Sequence, residues 1–165
     1  MFQDLKSLYT YFTYSEPDGK YAGPIIASPL SIHFARVYLY RNWDFKKILV
    51  YEAFITYSQR YGNPFFKKQS VMIQDLRITK YSLLKTMNYL IDDGYITKSQ
   101  GGESDNFKNF YTVVFDNILK NLHQIYDFDK FGDDNKQIAI EMFQYKFEMY
   151  KNMAIKHDGR FPKYH

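Results

Sequence analysis

The chain has 165 residues, enough for one domain with appendages, and a domain of that size buries about 70% of its unfolded surface. Apolar residues make up 45% and charged residues 24%, an ordinary globular balance, and the absence of cysteine excludes a disulfide framework, a thiolate nucleophile and a cysteine-based zinc site. The net charge of +4 is concentrated between Arg60 and Lys98, where basic residues exceed acidic ones by that whole amount, the footprint of a segment that meets phosphate.

In chain order, Tyr9 to Tyr14 and Lys20 to Ile26 flank Glu16-Pro-Asp-Gly19, a turn signal that predicts a β-hairpin in an N-terminal extension over residues 1–31. It reads as a cover over the core rather than an arm. Ile32 to Tyr40 mixes β-branched and aromatic residues, as a strand or an irregular lead-in would. Asp44 can cap a helix that runs to about Tyr61 and stops at Gly62-Asn-Pro64. From Ile48 to Tyr57 only Glu52 and Thr56 are polar, so this helix is expected to be buried on most sides, with Glu52 satisfied or at a rim. Phe65-Phe-Lys-Lys-Gln69 reads as a lead-in to the next element.

Met72, Ile73 and Leu76 give one apolar face to a short helix that opens near Ser70. Arg77-Ile78 breaks the period, with Ile78 able to plug the corner, and Thr79 is an N-cap for a second helix. That helix repeats Leu83, Met87 and Leu90 on its inner side, with Thr86 beside them, and Gly94 supplies the left-handed residue that ends it. Tyr95-Ile-Thr97 and Tyr111 to Phe115 are strand-like, and they flank the polar, Gly-containing span Ser99 to Asn106, which suits a hairpin loop.

Residues 69–115 resemble the winged helix-turn-helix family, and Thr79 to Gly94 follows its second-helix pattern of apolar positions closing on Gly. The order from about Ile32 to Phe115, half the chain, is similar to the N-terminal DNA-binding domain of plasmid and phage replication initiators. The resemblance implies an α+β, mainly α fold: a three-helix core plus a β-wing over residues 32–116, with C-terminal helices over 117–165. With Leu83, Thr86, Met87 and Leu90 inward, Lys80, Tyr81, Ser82, Leu84, Lys85 and Asn88 are expected to face outward, where such a helix reads base edges in the major groove. Lys67, Lys68 and Ser70 would hold one backbone, Thr79 would serve phosphate as well as cap, and the wing residues Lys98, Gln100, Lys108 and Asn109 would lie along an adjacent groove.

Beyond Phe115, Ile118, Leu119, Leu122 and Ile125 share one face of a short helix over Asp116–Tyr126, and Asp127 to Asn135 reads as a solvated linker. A final helix from about Lys136 to Lys156 carries Ile138, Met142, Tyr145, Met149 and Met153, with Phe143, Phe147, Tyr150 and Ala154 beside them. This wide face either packs on the winged domain or makes a homodimer with the same helix of a second chain. The tail His157 to His165 reads as loose and able to touch phosphate.

The four histidines are scattered, which argues against a metal site, and no phosphate-binding glycine loop or nucleophile elbow occurs. The reading is therefore of a non-enzyme without cofactor. No apolar run approaches a membrane span and the N-terminus lacks a signal-peptide order, so a soluble cytoplasmic protein is expected. The 17 Tyr and 15 Phe are spread over the whole chain, more like AT-rich codon usage than single-strand stacking platforms. The expected function is sequence-specific duplex DNA binding of the replication-initiator or organiser type. The alternatives are a transcriptional repressor that binds a palindrome as a dimer, and a winged helix used for docking to a replication or transcription protein.

Overall fold

The structure, a computed structural model, describes residues 38–157; the expected hairpin over 1–31, most of the lead-in and the tail beyond 157 lie outside the described residues. The described chain is α+β, mainly helical, with one small antiparallel sheet. No helix in it is long and apolar enough to cross a membrane.

Helix α1, Phe45–Tyr61, starts where the Asp44 carboxylate accepts from the Lys47 N–H at 2.8 Å, satisfying a donor that helix geometry leaves over. It stops at Gly62, whose φ of 104° suits a residue without Cβ. Every residue from Ile48 to Gln59 is buried, so α1 is the axle of the fold. Glu52, fully enclosed, accepts from the Tyr40 hydroxyl at 3.0 Å, which offsets part of the cost of enclosing a carboxylate.

The segment read as a lead-in holds a short strand instead. Strand β1, Phe65–Phe66, pairs with β3, placing Phe65 opposite Tyr111. Just before it, the Asn63 amide donates to the Val113 carbonyl at 2.9 Å and accepts from the Val113 N–H at 2.8 Å, in the manner of a ladder pair. Helix α2, Gln69–Leu76, buries Met72 and Leu76, and Arg77 then turns the chain in the left-handed region at φ 54°. Ile78 sits half-buried against the core, as a corner plug should.

Helix α3, Lys80–Asp92, begins with the Thr79 hydroxyl accepting from the Ser82 N–H at 3.1 Å. Leu83, Thr86, Met87 and Leu90 are buried, and the inner face rests on α1. At its end the Gly94 N–H bonds to the Ile91 carbonyl and the Tyr95 N–H to the Leu90 carbonyl, a Schellman closure that uses the positive φ of Gly94. Strands β2, Ile96–Gln100, and β3, Asn109–Val113, form a hairpin running from Ile96 opposite Val113 to Gln100 opposite Asn109. The sheet order is β1-β3-β2.

Where one helix was expected after β3, the chain makes two, α4 (Phe115–Lys120) and α5 (Leu122–Ile125), broken at Asn121. The expected solvated linker is also different. Phe128 and Phe131 lie on a single 3₁₀ turn, both buried, with ring centroids 5.0 and 6.4 Å from Phe143. Residues three apart stack on one side of such a turn, and two buried phenyl rings at ~1.5–3 kcal/mol each outweigh their polar neighbours.

Helix α6, Asp133–His157, packs on α1, on α4 and on the 3₁₀ turn, burying Ala139, Ile140, Phe143, Phe147, Tyr150 and Ala154, with the Phe143 ring centre 4.7 Å from that of Tyr126. The stripe through Ile138, Tyr145 and Met153 lies on the other side and is exposed. Most described aromatics are core: Tyr51 and Tyr126, for example, meet hydroxyl to hydroxyl at 3.1 Å inside a run of edge and tilted ring contacts. Such contacts add ~0.5–1.5 kcal/mol to burial, so the aromatic richness serves packing.

Candidate nucleic-acid interface

The outer side of α3 is the candidate surface. The helix is fixed at its start by the Thr79 cap, beneath by α1 and at its end by the Gly94 closure, so its outward side chains stand on a rigid base. Lys80, Tyr81, Lys85 and Asn88 are exposed, as the spacing predicts, and Tyr81 is 73% exposed with the Lys85 ammonium 5.8 Å from its ring centre.

Three neighbours depart from expectation. Ser82 is buried: its hydroxyl accepts from Lys46 Nζ at 3.0 Å and from the Thr79 hydroxyl at 3.1 Å. It lies one turn before Thr86, on the row that faces the start of α1. Leu84 is half-buried against the core, as is Ile91 on the same side of α3, so the inner face is wider than the repeat of Leu83, Met87 and Leu90 implies. Thr79 spends its hydroxyl on both the Ser82 N–H and the Ser82 Oγ, which makes it a cap rather than a phosphate ligand.

Three residues complete the surface that sequence reasoning missed. Tyr81, Lys85 and Tyr89 follow each other at four-residue steps along α3, a row that was legible in principle. Phe45 and Lys46 come from the first turn of α1, and only tertiary packing brings them alongside. Together with Thr86 these residues line a cleft of about 520 Å³, with Phe45 and Tyr89 42% and 47% exposed. Comparison with protein-family models, curated proteins and solved structures finds no match for this chain.

Charge around this surface is sorted by the fold. Lys67, expected on the backbone, is 5% exposed: its ammonium lies 4.6 and 4.8 Å from the Tyr57 and Tyr61 ring centres and 3.6 Å from Asp75. The cause is strand alternation, which turns Lys67 to the same side as the buried Phe65. Tyr57 donates to Asp75 at 3.2 Å, and burial, reinforced by that carboxylate, pushes its phenol well above the usual range. Asp93 is likewise drawn to Lys47 at 2.8 Å. Two of the three carboxylates of this segment are thus tied to inner lysines, while Lys68, Arg77, Lys80, Lys85 and Lys98 stay exposed. The fold sharpens a positive face that the sequence only suggested.

Around α3, Lys68 and Ser70 stand exposed at the start of α2, where no side chain caps the helix and its first N–H groups are of the kind that bind phosphate. In the wing, Lys98 and Gln100 are exposed, and the Gln100 amide donates to the Phe107 carbonyl at 3.2 Å. Lys108 and Asn109 are half-buried, with the Lys108 ammonium 4.8 Å from the Phe66 ring centre. The tip instead presents Phe107, 58% exposed at a φ of 55°. Its exposure has no counterpart in the sequence pattern.

Proposed function

We propose that this protein is a cytoplasmic winged-helix protein that binds duplex DNA sequence-specifically through α3, of the replication-initiator or organiser type. The observation that carries the reading is the exposed row of Lys80, Tyr81, Lys85 and Asn88 on a helix whose opposite face is locked into the core. The order helix, strand, helix, helix, strand, strand and the sheet order β1-β3-β2 support the winged-helix assignment, since they set α3 beside a protruding hairpin. A helix of this width fits a major groove about 12 Å across, where lysine can meet guanine O6 and N7, asparagine can meet adenine, and Tyr81 can lie against thymine methyl groups. Lys68, Ser70 and Arg77 would take phosphates of one strand, and Lys98 and Gln100 those beside the wing.

Selection of bound sites from random duplex, followed by footprinting on DNA flanking the protein's own gene, tests the proposal. Retention of a discrete site at about 0.1 M salt, where screening acts beyond roughly 10 Å, is the expected result. An array of direct repeats favours initiation, and one palindrome over a promoter favours a repressor. A second reading, a docking surface for another protein, is favoured by the convergence of Phe45, Tyr81 and Tyr89 on one open cleft. It predicts no retained duplex and partner binding that survives loss of Lys80 and Lys85.

A further inference from the structure

We propose that the outer face of α6 pairs with the same face of a second copy of this chain, the two helices running parallel about a two-fold axis. The helix carries two apolar stripes. Ala139, Ile140, Phe143, Phe147, Tyr150 and Ala154 are buried on one side. Ile138 and Tyr145 lie on the opposite side, 42% and 65% exposed, and Met142 and Met149, in step with them at intervals of four, three and four, are half-buried at its edge, Met142 also touching the core. Those steps are the seam positions of a two-stranded coiled coil, with Met142 and Met149 at a and Ile138 and Tyr145 at d, and Asn152 takes the next d position. Ile138, Met142 and Tyr145 also line a shallow cleft of about 300 Å³ rimmed by Glu141 and Lys146, a hole that a partner's side chain can enter.

Charge selects both occupant and orientation. Glu141 and Glu148 run along one edge of the seam, and Lys146 lies on the other. In a parallel pair, Glu141 of one copy lies across from Lys146 of its partner, and the two-fold axis makes this contact twice. An antiparallel pair would set the two glutamates of one chain against those of the other. The stripe complements itself, which makes a second copy its fitting occupant. From Ile138 to Asn152 the seam spans about 21 Å, so the dimer is weak and concentration-dependent. This inference stands apart from the DNA-binding proposal, because α6 contributes nothing to the α3 surface.

Sedimentation equilibrium of the full chain across the micromolar range tests it. Self-association is expected, and Tyr145→Glu, at an exposed position checked for folding by circular dichroism, should weaken it roughly tenfold or more. Glu141→Lys alone and Lys146→Glu alone should each weaken it, while a mixture of the two forms a heterodimer in which both edge contacts are restored. The chain has no cysteine, so Asn152→Cys introduces a single thiol that should cross-link the parallel pair under mild oxidation. A monomer at every concentration overturns the proposal. So does self-association that is indifferent to Tyr145→Glu, or a mixture no tighter than its components.

Discussion

Replacing Lys80 and Lys85 together by alanine separates function from fold. Both side chains are exposed on α3, and neither is held by an ion pair among the described residues. Their loss should therefore change stability by no more than about 0.5 kcal/mol, a shift in Tm of ~1–2 °C for a chain of this size. Affinity should respond differently. If each lysine contributes ~1 kcal/mol at the low end for a base or phosphate contact, the pair costs ~2 kcal/mol, about 30-fold in Kd. If both neutralise phosphates, the slope of log K against log salt should fall by about 1.8. Fluorescence anisotropy on the selected duplex at several salt concentrations measures both quantities. Loss on the selected site alone marks base reading, and equal loss on random duplex marks phosphate binding. Unchanged affinity with an unchanged slope refutes the assignment of this face to DNA.

Lys67→Ala should show the opposite pattern: loss of two ring contacts and of the Asp75 pair costs ~1–2 kcal/mol, seen as a Tm lower by ~4 °C, while the salt slope of DNA binding stays the same. Thr79→Ala removes the α3 cap and should cost ~1 kcal/mol by denaturant titration, with no gain from added phosphate. The pH dependence should appear on the alkaline side. Tyr57, Tyr95 and Tyr111 all have phenols raised by burial, so the stabilisation of their neutral forms is complete below pH of about 10 and is lost as pH rises beyond it. Tyrosinate absorbance should rise together with unfolding for these residues, and Tyr57→Phe should reduce the alkaline loss.

What the sequence revealed was local chemistry. Asp44, Thr79 and Gly94 could be read because a cap or a left-handed closure depends on residues within a few positions, and each does in the structure what its type and place require. Strand β1 was hidden because two residues carry no period, and their partners Phe110 and Tyr111 lie far along the chain. Lys67 looked like a phosphate ligand until the strand that turns it inward was known. Ser82 could not be placed without Lys46, which reaches it from another helix. In α6 the apolar residues were visible, but their division into a buried and an exposed stripe depends on where α1 lies. Side-chain type was legible, and its direction was set by tertiary partners.

From Ile48 to Gln59, α1 has no face open to water. One helix is at once the floor beneath α3 and the wall against which α6 leans. Cutting the chain after residue 116 would thus strip cladding from the central helix and leave its greasy flank in water, giving an aggregating fragment instead of a smaller folded unit. A substitution that loosens the middle of α1 is therefore expected to disturb the seating of α3 and of α6 together, because both helices rest on it.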